Sequence, residues 1–202
     1  MTKIKICGIK SEDAVEVLNR TLPEYTGFMF YEKSKRYISV ERASALRDKL
    51  DKRVKTVGVF VDEDPKKILD IARKGIIDII QLHGSENDGY INAVKSGTGI
   101  PVIKAFRIDS AEDITRAQKS AADMVLLDSG SGGTGTSFDW RLIRDIGRDY
   151  FLAGGLSPES VEEAIRAVSP FAVDVSSGVE TDGIKDAEKI EEFIRRARSC
   201  PN

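Results

Sequence analysis

Lys3-Ile4-Lys5-Ile6-Cys7-Gly8-Ile9-Lys10-Ser11-Glu12-Asp13 reads as one strand handed over to the start of one helix. Residues 3 to 7 alternate, so Lys3, Lys5 and Cys7 share one strand face while Ile4 and Ile6 share the other. Ser11, with Glu12 and Asp13 behind it, has the chemistry of a helix N-cap followed by an acidic first turn. Working outward, the same unit of short apolar run and amphipathic segment recurs eight times. The strand candidates are 3–7, 26–30, 56–61, 77–82, 101–106, 123–128, 150–153 and 171–175, each followed by a helix candidate. Asp64 before Pro65 and Ser157 before Pro158 repeat the helix-start signal.

Eight units in 202 residues leave about 25 residues for each, just enough for a strand, a helix and two short loops. The expected fold is therefore α/β, a single-domain (β/α)8 TIM barrel of minimal size spanning residues 1–202. An open doubly wound sheet is the alternative, but no Gly-x-Gly-x-x-Gly follows the first strand and no edge strand stands out, which favours closure. If the isoleucines of the first strand meet the helices, Lys5 points inward. A buried ammonium needs a partner, and Asp174 on the eighth strand, adjacent in a closed barrel, is the candidate.

The 31 basic and 33 acidic residues leave a net charge of −2, which suggests no nucleic-acid partner. No apolar run reaches the ~18 residues of a membrane helix and the N-terminus has no signal-peptide pattern, so a soluble cytoplasmic protein without a membrane partner is expected. Cys7 and Cys200 form no disulfide framework, and with a single His a zinc site lacks ligands; no metal is expected.

Parallel strands deliver their C-terminal ends to one face of a barrel, where the loops build the active site. Cys7 ends strand 1 and Asp128 ends strand 6, so a thiol and a carboxylate approach the mouth from different sides. A lone Cys is commonly a small buried hydrophobe and an Asp after a strand a helix cap; as a pair at one mouth they have the makings of an acid and a base. Glycines cluster in three late loops: Gly130, Gly132, Gly133 and Gly135; Gly154 and Gly155; and Gly178 beside Ser177. Such loops turn tightly, and in barrels they also bring backbone N–H groups to a phosphate. The stretch 129–137 could equally be a lid. Lys33, Lys35 and Arg36 follow strand 2; charge runs are usually solvated, but the Arg36 fork suits a carboxylate. His83, the only His, is either a satisfied structural group or a substrate contact. Lys104 is either an interior lysine with a salt-bridge partner or a Schiff-base nucleophile. Trp140 is explained by helix packing.

The motifs Lys5-Ile-Cys7-Gly8-Ile9, Gly27-Phe-Met-Phe30 with Ser34-Lys35-Arg36, Gln81-Leu-His83-Gly84, Leu127-Asp128-Ser129, Gly132-Gly-Thr-Gly135, Leu152-Ala-Gly-Gly-Leu156 and Asp174-Val-Ser-Ser-Gly-Val-Glu180 together resemble phosphoribosylanthranilate isomerase over nearly the whole chain. Many members read Ser-Pro-Arg where this chain has Ser34-Lys35-Arg36, and the lead-in to strand 2 also departs. The resemblance implies an Amadori rearrangement of N-(5-phosphoribosyl)anthranilate in tryptophan biosynthesis, without a cofactor. It implies Asp128 as general acid, Cys7 as general base, and Arg36 on the anthranilate carboxylate. Gly133, Gly154, Gly155, Ser177 and Gly178 are implied at the phosphate, with Gln81, His83 and Asp174 as further substrate contacts. The expected partner is a small phosphorylated molecule, and the chain is a monomer or homodimer. Two rivals remain at this point: a Schiff-base aldolase using Lys104, and a barrel that only binds phosphorylated ligands.

Overall fold

Eight parallel strands close on themselves in the computed structural model, which describes residues 1–128, 143 and 146–200. The strands are β1 (Lys3–Cys7), β2 (Tyr25–Met29), β3 (Lys55–Phe60), β4 (Ile79–Leu82), β5 (Val102–Arg107), β6 (Met124–Asp128), β7 (Tyr150–Ala153) and β8 (Ala172–Val175). They follow one another in order around the barrel, and β1 pairs with β8 to close it. The open-sheet alternative is thereby excluded. All eight expected strands are present, β1 and β7 with the expected bounds and the others with ends displaced by one or two residues. The largest shift is at β4, where Ile77 is buried outside the ladder and the Asp78 carboxylate accepts from the Thr56 backbone N–H at 2.8 Å, delaying the strand to Ile79.

Among the described residues, seven helices pack outside: α1 (Glu12–Thr21), α2 (Val40–Lys49), α3 (Pro65–Arg73), α4 (Asp88–Thr98), α5 (Ala111–Lys119), α6 (Val161–Val168) and α7 (Ala187–Ser199). Their starts follow from side-chain chemistry. Ser11 caps α1 by accepting from Ala14 N at 3.3 Å, and Asp64 caps α3 by accepting from Lys66 N at 2.9 Å, with Pro65 in the first turn. Ser157 does not cap α6. Its carbonyl accepts from both Ser160 N and Val161 N, making a separate turn around Pro158, and the helix begins one turn later at Val161. The helix expected after β6, with Trp140, and the glycines 130 to 135 lie outside the described residues.

Alternation divides the core in two. Outward residues such as Ile4, Ile6, Phe28 and Phe60 join the helices in one large cluster. Inward residues Tyr25, Val57, Ile79, Ile103, Leu126, Phe151 and Ala172 fill the barrel, with Tyr25 and Phe151 edge-to-face at 5.3 Å. Lys5 points inward as expected, fully buried. Parallel register sets it opposite Asp174, and its Nζ donates to Asp174 Oδ2 at 2.8 Å. Lys3 lies at the other end, its ammonium 4.2 Å from the centre of the Phe171 ring. No helix among the described residues is long and apolar enough to cross a membrane.

Candidate active site

The strands' C-terminal ends surround a cleft of about 310 Å³ into which Cys7, Arg36, Gln81, His83, Asp128, Gly154, Gly155, Asp174 and Ser177 all face. These come from six of the eight strand-to-helix transitions, which only a closed barrel gathers in one place. A larger cavity of about 420 Å³ opens at the opposite end, beside Lys3, Tyr150 and Phe171. The Arg148 guanidinium there is engaged by the carbonyls of Ala117, Gln118, Ser120 and Ala122.

Cys7 is a free, buried thiol at the last residue of β1. Its room is provided by Gly27, its register partner on β2: a Cβ there would stand 2.6 Å from the Cys7 sulfur. Burial pushes the thiol above its ordinary range; Lys5 and Lys185 pull it down, and the Asp174 charge adds to the rise. Burial works to lower Lys5, but the charge of Asp174 and the hydrogen bond to it prevail and raise the ammonium above its ordinary value. Lys5 thus holds positive charge beneath the thiol, and Asp174 is tied to it through one oxygen. The other oxygen, Oδ1, is buried at the cleft without a hydrogen-bond partner among the described residues, as is Gln81 Oε1. Buried unpaired acceptors are costly, so both are natural places for a ligand's O–H or N–H.

Across the cleft, Asp128 Oδ2 lies 3.5 Å from His83 Nε2. The Gln81 amide nitrogen sits 3.0 Å from His83 Nδ1. In this assigned amide orientation Gln81 donates to Nδ1, which selects the tautomer with its N–H on Nε2, toward Asp128. His83 is therefore held in place where it lines the cleft.

Arg36 reaches the cleft on a loop shaped by Ser34, whose hydroxyl accepts from the Arg36 backbone N–H at 3.1 Å. Lys35 contributes a carbonyl that accepts from Lys10 Nζ at 3.2 Å. The Arg36 fork is already engaged: Nε and Nη2 donate to the two oxygens of Glu180, each at 2.7 Å. Glu180 closes the last of the motifs quoted from the sequence but is given no role there, and Lys185, which donates to it at 2.6 Å, is not among the residues singled out. The two are cross-strand partners in a small hairpin, β9 (Glu180–Thr181) and β10 (Ile184–Lys185). The eight-unit pattern does not anticipate this hairpin, although Asp182-Gly183, both with positive φ, is a recognised turn cue.

Ser177 opens a short 3-10 turn, Ser177–Val179, directly after β8. Gly178 does not line the cleft; it packs against the carbonyl of Leu156, joining the last two loops back to back. Gly133 lies outside the described residues. Lys104 is absent from the cleft. Its ammonium donates to Gly84 O at 2.6 Å, and to Glu86 Oε2 at 3.0 Å and Ala105 O at 3.1 Å, the last two bonds fully buried. That is an interior lysine tying down the loop after β4, and removing one partner of such a pair costs about 3–5 kcal/mol. No nucleophile is presented, so the aldolase reading loses its residue. No cluster of three or more His, Cys, Asp or Glu among the described residues could hold a metal ion.

Comparison with known proteins agrees with this arrangement. The family model for N-(5'-phosphoribosyl)anthranilate isomerase matches residues 4–196. A relative of that name from Clostridium acetobutylicum is 45% identical, with 98% of each chain covered. The crystal structure of phosphoribosyl anthranilate isomerase from Thermotoga maritima superposes with a TM-score of 0.90 at 42% identity, covering 98% of this chain and 100% of that one. Another structure of such an enzyme, in complex with reduced 1-(o-carboxyphenylamino)-1-deoxyribulose 5-phosphate, gives a TM-score of 0.87 at 41% identity, with 98% of this chain and 100% of that one covered. With a match that runs the length of the barrel and takes in both walls of the cleft, the chain belongs to the N-(5'-phosphoribosyl)anthranilate isomerase family.

Proposed function

We propose that this cleft performs the Amadori rearrangement of N-(5-phosphoribosyl)anthranilate to 1-(2-carboxyphenylamino)-1-deoxyribulose 5-phosphate, a step of tryptophan biosynthesis. Asp128 is the general acid and Cys7 the general base. The observation that carries this reading is their placement on separate walls of one cleft, at the ends of the non-adjacent strands β6 and β1. Asp128 protonates the furanose ring oxygen; the C1–O bond breaks as the amine lone pair forms the C1=N imine. Cys7 then removes the proton from C2, the electron pair moving through C1 to nitrogen, and the enolamine tautomerises to the ketone. The substrate's own amine is the electron sink, so one acid and one base suffice.

The sequence of events answers the difficulty posed by the raised thiol. A neutral Cys7 is a poor base, but ring opening leaves a protonated imine beside it. That positive charge adds to Lys5 and Lys185 in favouring the thiolate at the moment C2–H must be broken. His83, with its proton toward Asp128, shapes the acid's surroundings. Arg36 takes the anthranilate carboxylate, and the backbone of Gly154, Gly155 and Ser177, together with the neighbouring Gly178 turn and Gly133, takes the phosphate. The two anchors hold the ribose between acid and base, which is the entropic part of catalysis. Asp174 Oδ1 and Gln81 Oε1 accept from the ribose hydroxyls.

Every group in this scheme lies within one chain, so a monomer or homodimer suffices. The Thermotoga maritima relative is described as dimeric, with monomers also generated from it. Incubating the wild-type protein with freshly generated phosphoribosylanthranilate tests the reading: anthranilate-type fluorescence is expected to fall at a rate proportional to enzyme. Fluorescence no faster to change than in buffer would refute it.

A further inference from the structure

We propose that Glu180 is a positioning residue for substrate specificity, holding one edge of the Arg36 guanidinium so that the other edge faces the cleft as a preformed carboxylate receptor. The inference rests on the reading above in which Arg36 binds the anthranilate carboxylate. A guanidinium has two donor edges that each match a carboxylate. Glu180 occupies the Nε–Nη2 edge with two bonds of 2.7 Å. That leaves Nη1 and the outer hydrogen of Nη2, and Arg36 lines the cleft. The arginine stem crosses Gly8, where a Cβ would stand 2.6 Å from Arg36 Cδ, so the residue directly after β1 leaves room for it to pass.

Glu180 is itself fixed. It is nearly buried, at 8% side-chain exposure, and Lys185, at 3%, donates to it at 2.6 Å. The same ammonium donates to Ser176 O at 2.8 Å, and the Ser176 hydroxyl donates to the Cys7 carbonyl at 3.1 Å. A chain of bonds therefore runs from the carboxylate receptor to the residue carrying the base. Burial works to raise the Glu180 carboxyl, but the bonds from Arg36 and Lys185 prevail and hold it at about 2, so it stays charged wherever the enzyme works. One anion between two cations leaves one net positive charge for the ligand. Without Glu180, Arg36 would have both edges and many rotamers available, and ordering it would be charged against binding.

The test compares two ligands in three proteins. The ligands are reduced 1-(o-carboxyphenylamino)-1-deoxyribulose 5-phosphate and its counterpart without the carboxyl group; the proteins are wild type, Glu180→Gln and Arg36→Met, with binding followed by calorimetry. For Glu180→Gln, about tenfold weaker binding of the carboxylated ligand is expected, with less than about a twofold change for the other, in line with loss of charge-assisted bonds. Glu180→Asp keeps the charge, should show a smaller loss confined to the same ligand, and serves if the Gln variant does not fold. Equal weakening of both ligands would make Glu180 a mere loop support and overturn the proposal, as would no weakening of either. If Arg36→Met discriminates between the ligands and Glu180→Gln does not, the Glu180 proposal alone fails. If Arg36→Met does not discriminate, the carboxylate reading of Arg36 fails with it.

Discussion

Cys7 illustrates how a side chain of small intrinsic promise is made useful by its neighbours. Gly27 gives the sulfur space, Lys5 and Lys185 supply charge, and Asp174 orients Lys5 while opposing the thiolate. The sign of the result is testable. Because burial raises the thiol, the free protein holds Cys7 protonated at neutral pH and releases the proton only above the ordinary thiol value of about 8.5. In a Cys200→Ser background, thiolate absorbance is expected to rise with a midpoint above that value. A midpoint near 7 would mean that the resting enzyme already carries the thiolate, and the role given to the imine charge would be unnecessary. The inward direction of Lys5 and its pairing with Asp174 were legible from strand alternation and barrel closure. The Glu180 bonds to Arg36 were not, because they join a loop to a two-residue strand far away in sequence, and neither is long enough for periodicity to report on contact.

At the scale of elements, the two late loops work as one body. Gly178 allows the turn after β8 to lie on the carbonyl of Leu156 in the loop after β7; a Cβ there would come within 1.9 Å of that oxygen. Backbone cannot yield as a side-chain tip can. Gly178→Ala should therefore force the loops apart, costing about 1–3 kcal/mol of stability, as overpacking does. It should also raise KM for the phosphorylated substrate by about tenfold, with kcat less affected, as loss of uniform binding requires. An unchanged KM in a destabilised protein would show that this contact supports the fold alone. Glycine clustering pointed to these loops but could not say which glycine faces a ligand and which faces a neighbouring loop. The helix starts show the same limit. Ser11 and Asp64 cap as their sequences suggest, whereas Ser157 forms a turn of its own, since a Ser-Pro pair suits either conformation.

For the whole molecule, the repeat of apolar run and amphipathic segment was sufficient to give a closed barrel, and closure puts the ends of β1 and β6 on opposite walls of one cleft. The barrel's interior is held by residues away from that mouth, such as Tyr25, Val57 and Phe151. Chemistry and stability are thereby separable, which gives the central claim a clean test. The decisive measurement is kcat on freshly generated phosphoribosylanthranilate for Cys7→Ala and Asp128→Asn, with circular dichroism confirming the fold of each. The account predicts losses of at least about 10²-fold in both variants, the size expected for removing a general base or acid, with wild-type dichroism. Either variant turning over substrate at near wild-type rate would contradict the role assigned to that residue.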